Sequence, residues 1–75
     1  MKAQSENEIR QRLAAVIIRH RKALAWTQQA LADRCELPRT YIADIEGRRR
    51  NPSLRNLLRI SNALGIALEN LFTKS

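Results

Sequence analysis

Apolar residues return every three or four positions along most of the chain, with polar residues filling the gaps. That spacing is the mark of helices that bury one face. Ile9, Leu13, Val16, Ile17 and Leu24 form the first stripe, joined by His20, and predict a helix over roughly 6–24. Ile18 falls off this stripe. Ser5-Glu6-Asn7-Glu8 has the form of a capping box, with the Ser5 hydroxyl on an early amide and Glu8 reaching back. Thr27 is a good N-cap for a short second helix, Gln28 to about Arg34, that buries Leu31 and Ala32. Cys35-Glu36-Leu37 then makes a tight connection, and Pro38 pre-sets the backbone for a third helix, Arg39–Glu46. Ile42 and Ile45 point inward on it, and Gly47 stops it. Ser53 caps a fourth helix, Leu54–Leu64, apolar at Leu54, Leu57, Leu58, Ile60 and Leu64 and closed by Gly65. A last short helix, about Leu68–Phe72, offers Leu68, Leu71 and Phe72. No sustained alternation marks a strand, and there is no repeat or linker. The expectation is one all-α domain of five helices over residues 1–75.

Charge gives this small domain a direction. Of its 75 residues, 14 are Lys or Arg and 7 are Asp or Glu, a net charge of +7. Such a balance calls for a polyanionic partner, either nucleic acid or an anionic membrane surface. An apolar share of 44% argues for a folded core rather than a disordered basic tail. The one Cys excludes an internal disulfide and points to a reducing compartment, and with one His it would leave a structural zinc site to be completed by carboxylates, which argues against one. The longest apolar run, Leu13–Ile18, is far below the roughly 20 residues that span a bilayer. Met1–Glu8 has no apolar stretch of the kind a secretory leader needs. A cytoplasmic protein follows, with no cofactor, no metal and no membrane partner. No nucleophile–base pair or phosphate-cradling loop suggests an enzyme.

The informative segment is residues 27–46. It holds a short helix, a turn and a second short helix that opens on polar residues and buries only Ile42 and Ile45. That is the plan of a helix-turn-helix, whose second helix enters the major groove of DNA. Arg39, Thr40, Ala43 and Asp44 fall on the outward positions of that helix, where side chains meet base edges. Residues 39–59 hold six Arg against two acids, so the positive excess is densest on and after the third helix.

Thr27-Gln28-Gln29-Ala30-Leu31-Ala32 and Leu37-Pro38-Arg39-Thr40-Tyr41-Ile42-Ala43-Asp44-Ile45-Glu46 together resemble the Xre family of phage-repressor and Cro-like DNA-binding proteins. Asn51-Pro52-Ser53-Leu54, Ile60-Ser61-Asn62-Ala63-Leu64-Gly65-Ile66 and Leu71-Phe72 continue the likeness, which covers roughly residues 13–72. Arg39-Thr40-Tyr41-Ile42 with Arg50-Asn51 is similar, more narrowly, to the controller proteins of restriction–modification systems. A stand-alone phage or plasmid repressor is the plainer version of the same resemblance, which implies a bacterial or phage source. It implies that Gln28 binds a DNA phosphate and that Glu46 pairs with Arg21 on the first helix as a structural ion pair. It also marks departures. Ala25 and Glu36 stand where the family commonly has glycine, and a left-handed backbone at either would cost on the order of 1 kcal/mol. His20 stands where the family usually has Leu or Ile, and is read as a core residue. Trp26 is expected to pack on the core edge.

Each side chain then has a candidate role and a plainer one. Arg39 can pair bidentately with guanine, or contact phosphate. Thr40 meets a thymine methyl or a phosphate, and Ala43 leaves space for a base methyl. Asp44 can accept from cytosine N4, although a pair with Arg48 at i+4 is the favoured reading. The phosphate set is Thr27, Gln28, Tyr41, Arg48, Arg49, Arg50 and Asn51, with the amides of 28–30 adding donors. For Tyr41 the alternative is a ring packed on helix two, and for the arginine run a solvated loop.

The reading is a sequence-specific transcriptional regulator that binds double-stranded DNA. One helix-turn-helix reads few base pairs, so a homodimer on a palindromic operator is expected. Ile66, Leu68, Leu71 and Phe72 are the candidate dimer surface, with Ile18 in support, against the alternative that they complete a monomer core. With no sensor domain in 75 residues, control by concentration and autoregulation are expected, as repressor or activator. Asp33 and Glu36 are a candidate acidic contact for RNA polymerase. The competing readings are an antitoxin or protein-interaction module on the same fold, and a membrane-surface binder.

Overall fold

The computed structural model describes residues 3–73. The expected single domain over 1–75 and the leader-free start at Met1 therefore extend to residues outside those described. Four α-helices follow one another: α1 (Glu6–Ala23), α2 (Gln28–Cys35), α3 (Arg39–Glu46) and α4 (Leu54–Leu64). The segment Leu68–Phe72 is a 3-10 helix, not the fifth α-helix expected. Its five residues are too few for a stable α-helical run, and the tighter 3-10 winding suits such short pieces. No strand occurs among the described residues, and no helix there is long and apolar enough to cross a membrane.

The helix starts follow the capping residues. Thr27 Oγ1 accepts from the Ala30 amide at 3.0 Å, and Ser53 Oγ from the Asn56 amide at 3.2 Å. Ser5 Oγ accepts from the Glu8 amide at 3.1 Å. The expected return half of that capping box is absent: the Ser5 hydroxyl faces the Glu8 carboxylate at 3.4 Å instead.

The helix ends share one device. At each α-helix, the backbone amide two or three residues past its end reaches back five residues to a carbonyl of its last turn. The pairs are Trp26 to Arg21 (3.1 Å), Leu37 to Ala32 (3.0 Å), Arg49 to Asp44 (2.8 Å) and Ile66 to Ser61 (3.0 Å). This closure needs a left-handed residue just before the donor. Those residues are Ala25 (φ 60°), Glu36 (φ 58°), Arg48 (φ 64°) and Gly65 (φ 73°). Only the last is a glycine. The strain foreseen at Ala25 and Glu36 is present, and a third instance sits at Arg48. Gly47 ends α3 at an ordinary φ of −85°, so it is not the left-handed residue there.

Leu13, Val16, Ile17, Leu31, Ala32, Ile42, Ile45, Leu57, Ile60 and Leu64 form the core, with Cys35 filled in as a small apolar residue. Helix α3 lies between α1 and α2, α2 packs on α4, and the 3-10 helix closes over α1 and α4. Leu71 is fully buried in this core. Leu24 belongs to no stripe: α1 stops one residue earlier, and Leu24 is 44% exposed. Leu54 and Leu58, apolar by sequence, lie on the outer face of α4 at 69% and 48% exposure.

Candidate nucleic-acid interface

The site begins with what holds α3 in place. Arg21, in the last turn of α1, donates from Nε to Glu46 Oε2 at 2.7 Å and from Nη2 to Oε1 at 3.0 Å. The side chains are only 12% and 6% exposed, so this is a buried, bidentate pair. Arg21 Nη1 also donates to the Trp26 carbonyl at 2.8 Å, which ties the α1–α2 connection to the same guanidinium. Thus one arginine fixes the end of α1, the entry to α2 and the end of α3.

Gln28 extends this network toward solvent. Its Nε2 donates to Glu46 Oε1 at 3.0 Å. A carboxylate only accepts, so the amide nitrogen must face Glu46 and the oxygen must face away. That oxygen accepts from Arg39 Nη1 at 3.4 Å. The expected phosphate ligand is therefore engaged inside the protein, and it touches the expected base-reading arginine.

Arg39 and Thr40 are exposed on the first turn of α3. Pro38 occupies the N-cap and supplies no side-chain bond; the Tyr41 amide donates to the Pro38 carbonyl at 3.0 Å, which leaves the Arg39 and Thr40 amides as the early α3 donors. Tyr41 and Ala43 are half-buried. The Tyr41 ring packs against the core, and the Arg50 guanidinium lies over it, 4.6 Å from its centroid.

Asp44 departs from expectation. Its carboxylate faces Arg49 (Nε to Oδ1, 3.5 Å) and Arg50 (Nη2 to Oδ2, 3.7 Å), not Arg48. The left-handed turn at Arg48 explains this: it ends the helical spacing that would place position 48 above 44, and returns the next two residues over α3. Arg49 also donates from Nη2 to the Ala43 carbonyl at 3.5 Å. Arg48 is exposed.

The remaining candidates divide. Thr27 is exposed, its oxygen accepting the capping bond and its hydroxyl proton free to donate. Asn51 is exposed but tied to α1, its Oδ1 accepting from Arg10 Nη1 at 2.8 Å. Asp33 and Glu36 are exposed, and Asp33 accepts from Gln29 Nε2 at 2.7 Å. Of the four dimer candidates, Leu71 is withdrawn, because its full burial leaves nothing for a partner to touch. Ile66, Leu68 and Phe72 are half-buried against the core and keep some outer surface. The Cys35 thiol is pushed up to about 11 by burial, which outweighs the opposing pull of the nearby Arg59 charge.

Sequence reasoning missed three features. The Arg10–Asn51 bond joins residues 41 positions apart, a distance no local spacing reveals. The Arg34 guanidinium lies 4.1 Å above the ring of Trp26, which itself packs on the core edge as expected. Gly47 gives room to Arg49, whose guanidinium occupies the space a Cβ there would need.

Residues 17–71 match the family HTH_3, described as helix-turn-helix. Among curated relatives, the control protein C.BamHI of Bacillus amyloliquefaciens is 51% identical over 45 residues, which are 60% of this chain and 56% of that protein. A hypothetical transcription factor of Neisseria meningitidis serogroup B is 36% identical over 66 residues, 88% of this chain and 62% of that protein. The chain thus spans about three fifths of the length of these two relatives. The crystal structure of the Neisseria factor superposes with a TM-score of 0.87 at 32% identity, covering 99% of this chain and 85% of that one. The restriction–modification controller protein C.AhdI from Aeromonas hydrophila superposes with a TM-score of 0.81 at 32% identity, covering 84% and 96% respectively.

Proposed function

The chain belongs to the Xre-type helix-turn-helix family of transcription regulators, and we propose that it reads a palindromic DNA operator as a homodimer. The family is not an enzymatic one. The observation that carries the proposal is the presentation of Arg39. It is exposed at the start of α3, on a helix locked to α1 by a buried bidentate ion pair. A rigid helix with a planar five-donor fork at its leading end suits guanine O6 and N7 in the major groove.

The supporting contacts are backbone contacts. The exposed Thr27 hydroxyl, the first amides of α2, and Arg48, Arg49 and Arg50 would meet phosphates on either side of the groove. Asn51 adds an amide donor while its oxygen stays on Arg10. The Gln28 amide would have to exchange its internal partners for phosphate, or act only by holding Arg39.

Two copies bound to half-sites about 34 Å apart would multiply a weak single contact into a selective one. The half-buried Ile66, Leu68 and Phe72 are the proposed dimer surface, joined by Leu58, one of the apolar positions of α4, which is exposed. Named similarity to C.BamHI and C.AhdI favours a controller that regulates its own promoter alongside neighbouring restriction genes. The cytoplasm is the proposed place of work.

A gel shift on the DNA upstream of its own gene tests the proposal. Tighter binding there than to random duplex is expected. Equal affinity for both would end the operator reading and favour a protein-interaction role for the fold.

A further inference from the structure

Asp44 is the one acid on the exposed face of α3, and it stands among the arginines proposed to meet phosphate. Its two oxygens each face a different guanidinium, those of Arg49 and Arg50. Three other features hold the same arrangement. The Arg49 amide bonds back to the Asp44 carbonyl at 2.8 Å and turns the loop over the helix. Gly47 lacks the Cβ that would displace the Arg49 guanidinium. The Tyr41 ring supports Arg50 from below. The carboxylate therefore does to these two arginines what a DNA phosphate would do.

We infer that Asp44 is a specificity-determining residue that works as an internal competitor for phosphate, and this rests on the operator reading above. On a duplex with no donor opposite position 44, the carboxylate keeps Arg49 and Arg50, and their absence from the phosphates weakens backbone binding. In the major groove, the donors able to replace a guanidinium on a carboxylate are the amino groups of cytosine and adenine. A site that offers one releases both arginines to the phosphates. Base identity is thereby converted into backbone contacts, and the penalty falls on wrong sequences.

The test compares Asp44→Asn with the unaltered protein on two probes: a duplex selected by the unaltered protein from a randomised pool, and a random duplex. On the random duplex, affinity should rise roughly fivefold, the scale of an exposed ion pair removed. The salt dependence there should steepen by up to about 2, one unit per freed arginine. Affinity for the selected duplex should rise less or fall, so the ratio between probes contracts. In an Arg49→Ala/Arg50→Ala background the gain on random duplex should vanish. Gly47→Ala, which displaces Arg49 at an unstrained φ of −85°, should give part of the same gain. A gain that survives in the arginine-free background would overturn the inference, since Asp44 would then act by repelling phosphate directly. An unchanged ratio between probes would overturn it as well. If the unaltered protein selects no sequence from the pool, the operator reading itself fails and the inference falls with it.

Discussion

Arg21 and Glu46 meet across 25 residues of sequence in a bidentate pair, 2.7 and 3.0 Å long, with both side chains nearly sealed from water. The pair joins the end of α1 to the end of α3, and Gln28 carries its influence to Arg39. Removing one partner strands the other charge in the interior. Arg21→Ala or Glu46→Ala should each cost about 3–5 kcal/mol, seen as a large fall in the urea midpoint. A domain this small has little more than that to lose. Replacing both residues with apolar ones of similar volume should restore much of the loss, because no unpaired charge remains.

The repeated helix closure gives a second expectation. Ala25, Glu36 and Arg48 hold left-handed backbones that glycine adopts freely. Ala25→Gly and Glu36→Gly should each stabilise the fold by up to about 1 kcal/mol, the relief of strain less the extra freedom glycine gives the unfolded chain. Thermal melts of the two variants and their combination check this. Gly65→Ala, at φ 73°, should move the melt the other way although open space surrounds it.

DNA contacts should separate by type. Arg39→Ala should flatten the preference among sequences, since its proposed role is at a base edge. Arg48→Ala should weaken all duplexes alike and lower the salt slope by about 1. Binding isotherms at several salt concentrations, on a preferred and a random duplex, distinguish the two patterns. Unchanged relative preferences in Arg39→Ala would move the readout elsewhere on α3.

Phe72 and Leu71 are neighbours with opposite expected behaviour. Leu71→Ala opens a cavity in the core and should cost about 2–5 kcal/mol of fold stability. Phe72→Ala and Leu58→Ser should raise the dissociation constant of the proposed dimer with a smaller effect on the fold. Sedimentation across a concentration series, beside melts of dilute protein, checks both.

Cys35 links stability to alkaline pH. Its thiol titrates near 9.0 when free and at about 11 in the fold. A raised folded value means the contribution is intact below pH 9 and is lost as pH climbs toward 11, where the unfolded chain gives up the proton first. Cys35→Ala should flatten that part of the pH–stability curve. Iodoacetamide should leave the native thiol unmodified at neutral pH, because the reactive thiolate is scarce.

Much of the fold is legible from helix ends. Thr27, Pro38 and Ser53 open α2, α3 and α4 where the chain places them, and Gly65 closes α4. These are local signals, read within three or four residues. What local pattern misleads on is the fate of an apolar residue beyond a helix end or on its outer face, as with Leu24, Leu54 and Leu58. Only the packing of other helices decides those. At the site, residue types and their positions on α3 are legible, but partners are not. Asp44 prefers Arg49 and Arg50 because the left-handed Arg48 breaks the i+4 spacing, and nothing about an arginine announces φ 64°. Gln28 is legible as a polar first-turn residue. Its orientation toward Arg39 depends on a carboxylate 18 residues away.

Trp26 is the chain's one tryptophan. Its carbonyl rests on Arg21 and its ring lies beneath Arg34, at the joint where α1 hands over to α2. The molecule thus carries its own optical probe at the point where the buried network begins. Indole emission can follow the opening of that joint in real time, without a dye or tag.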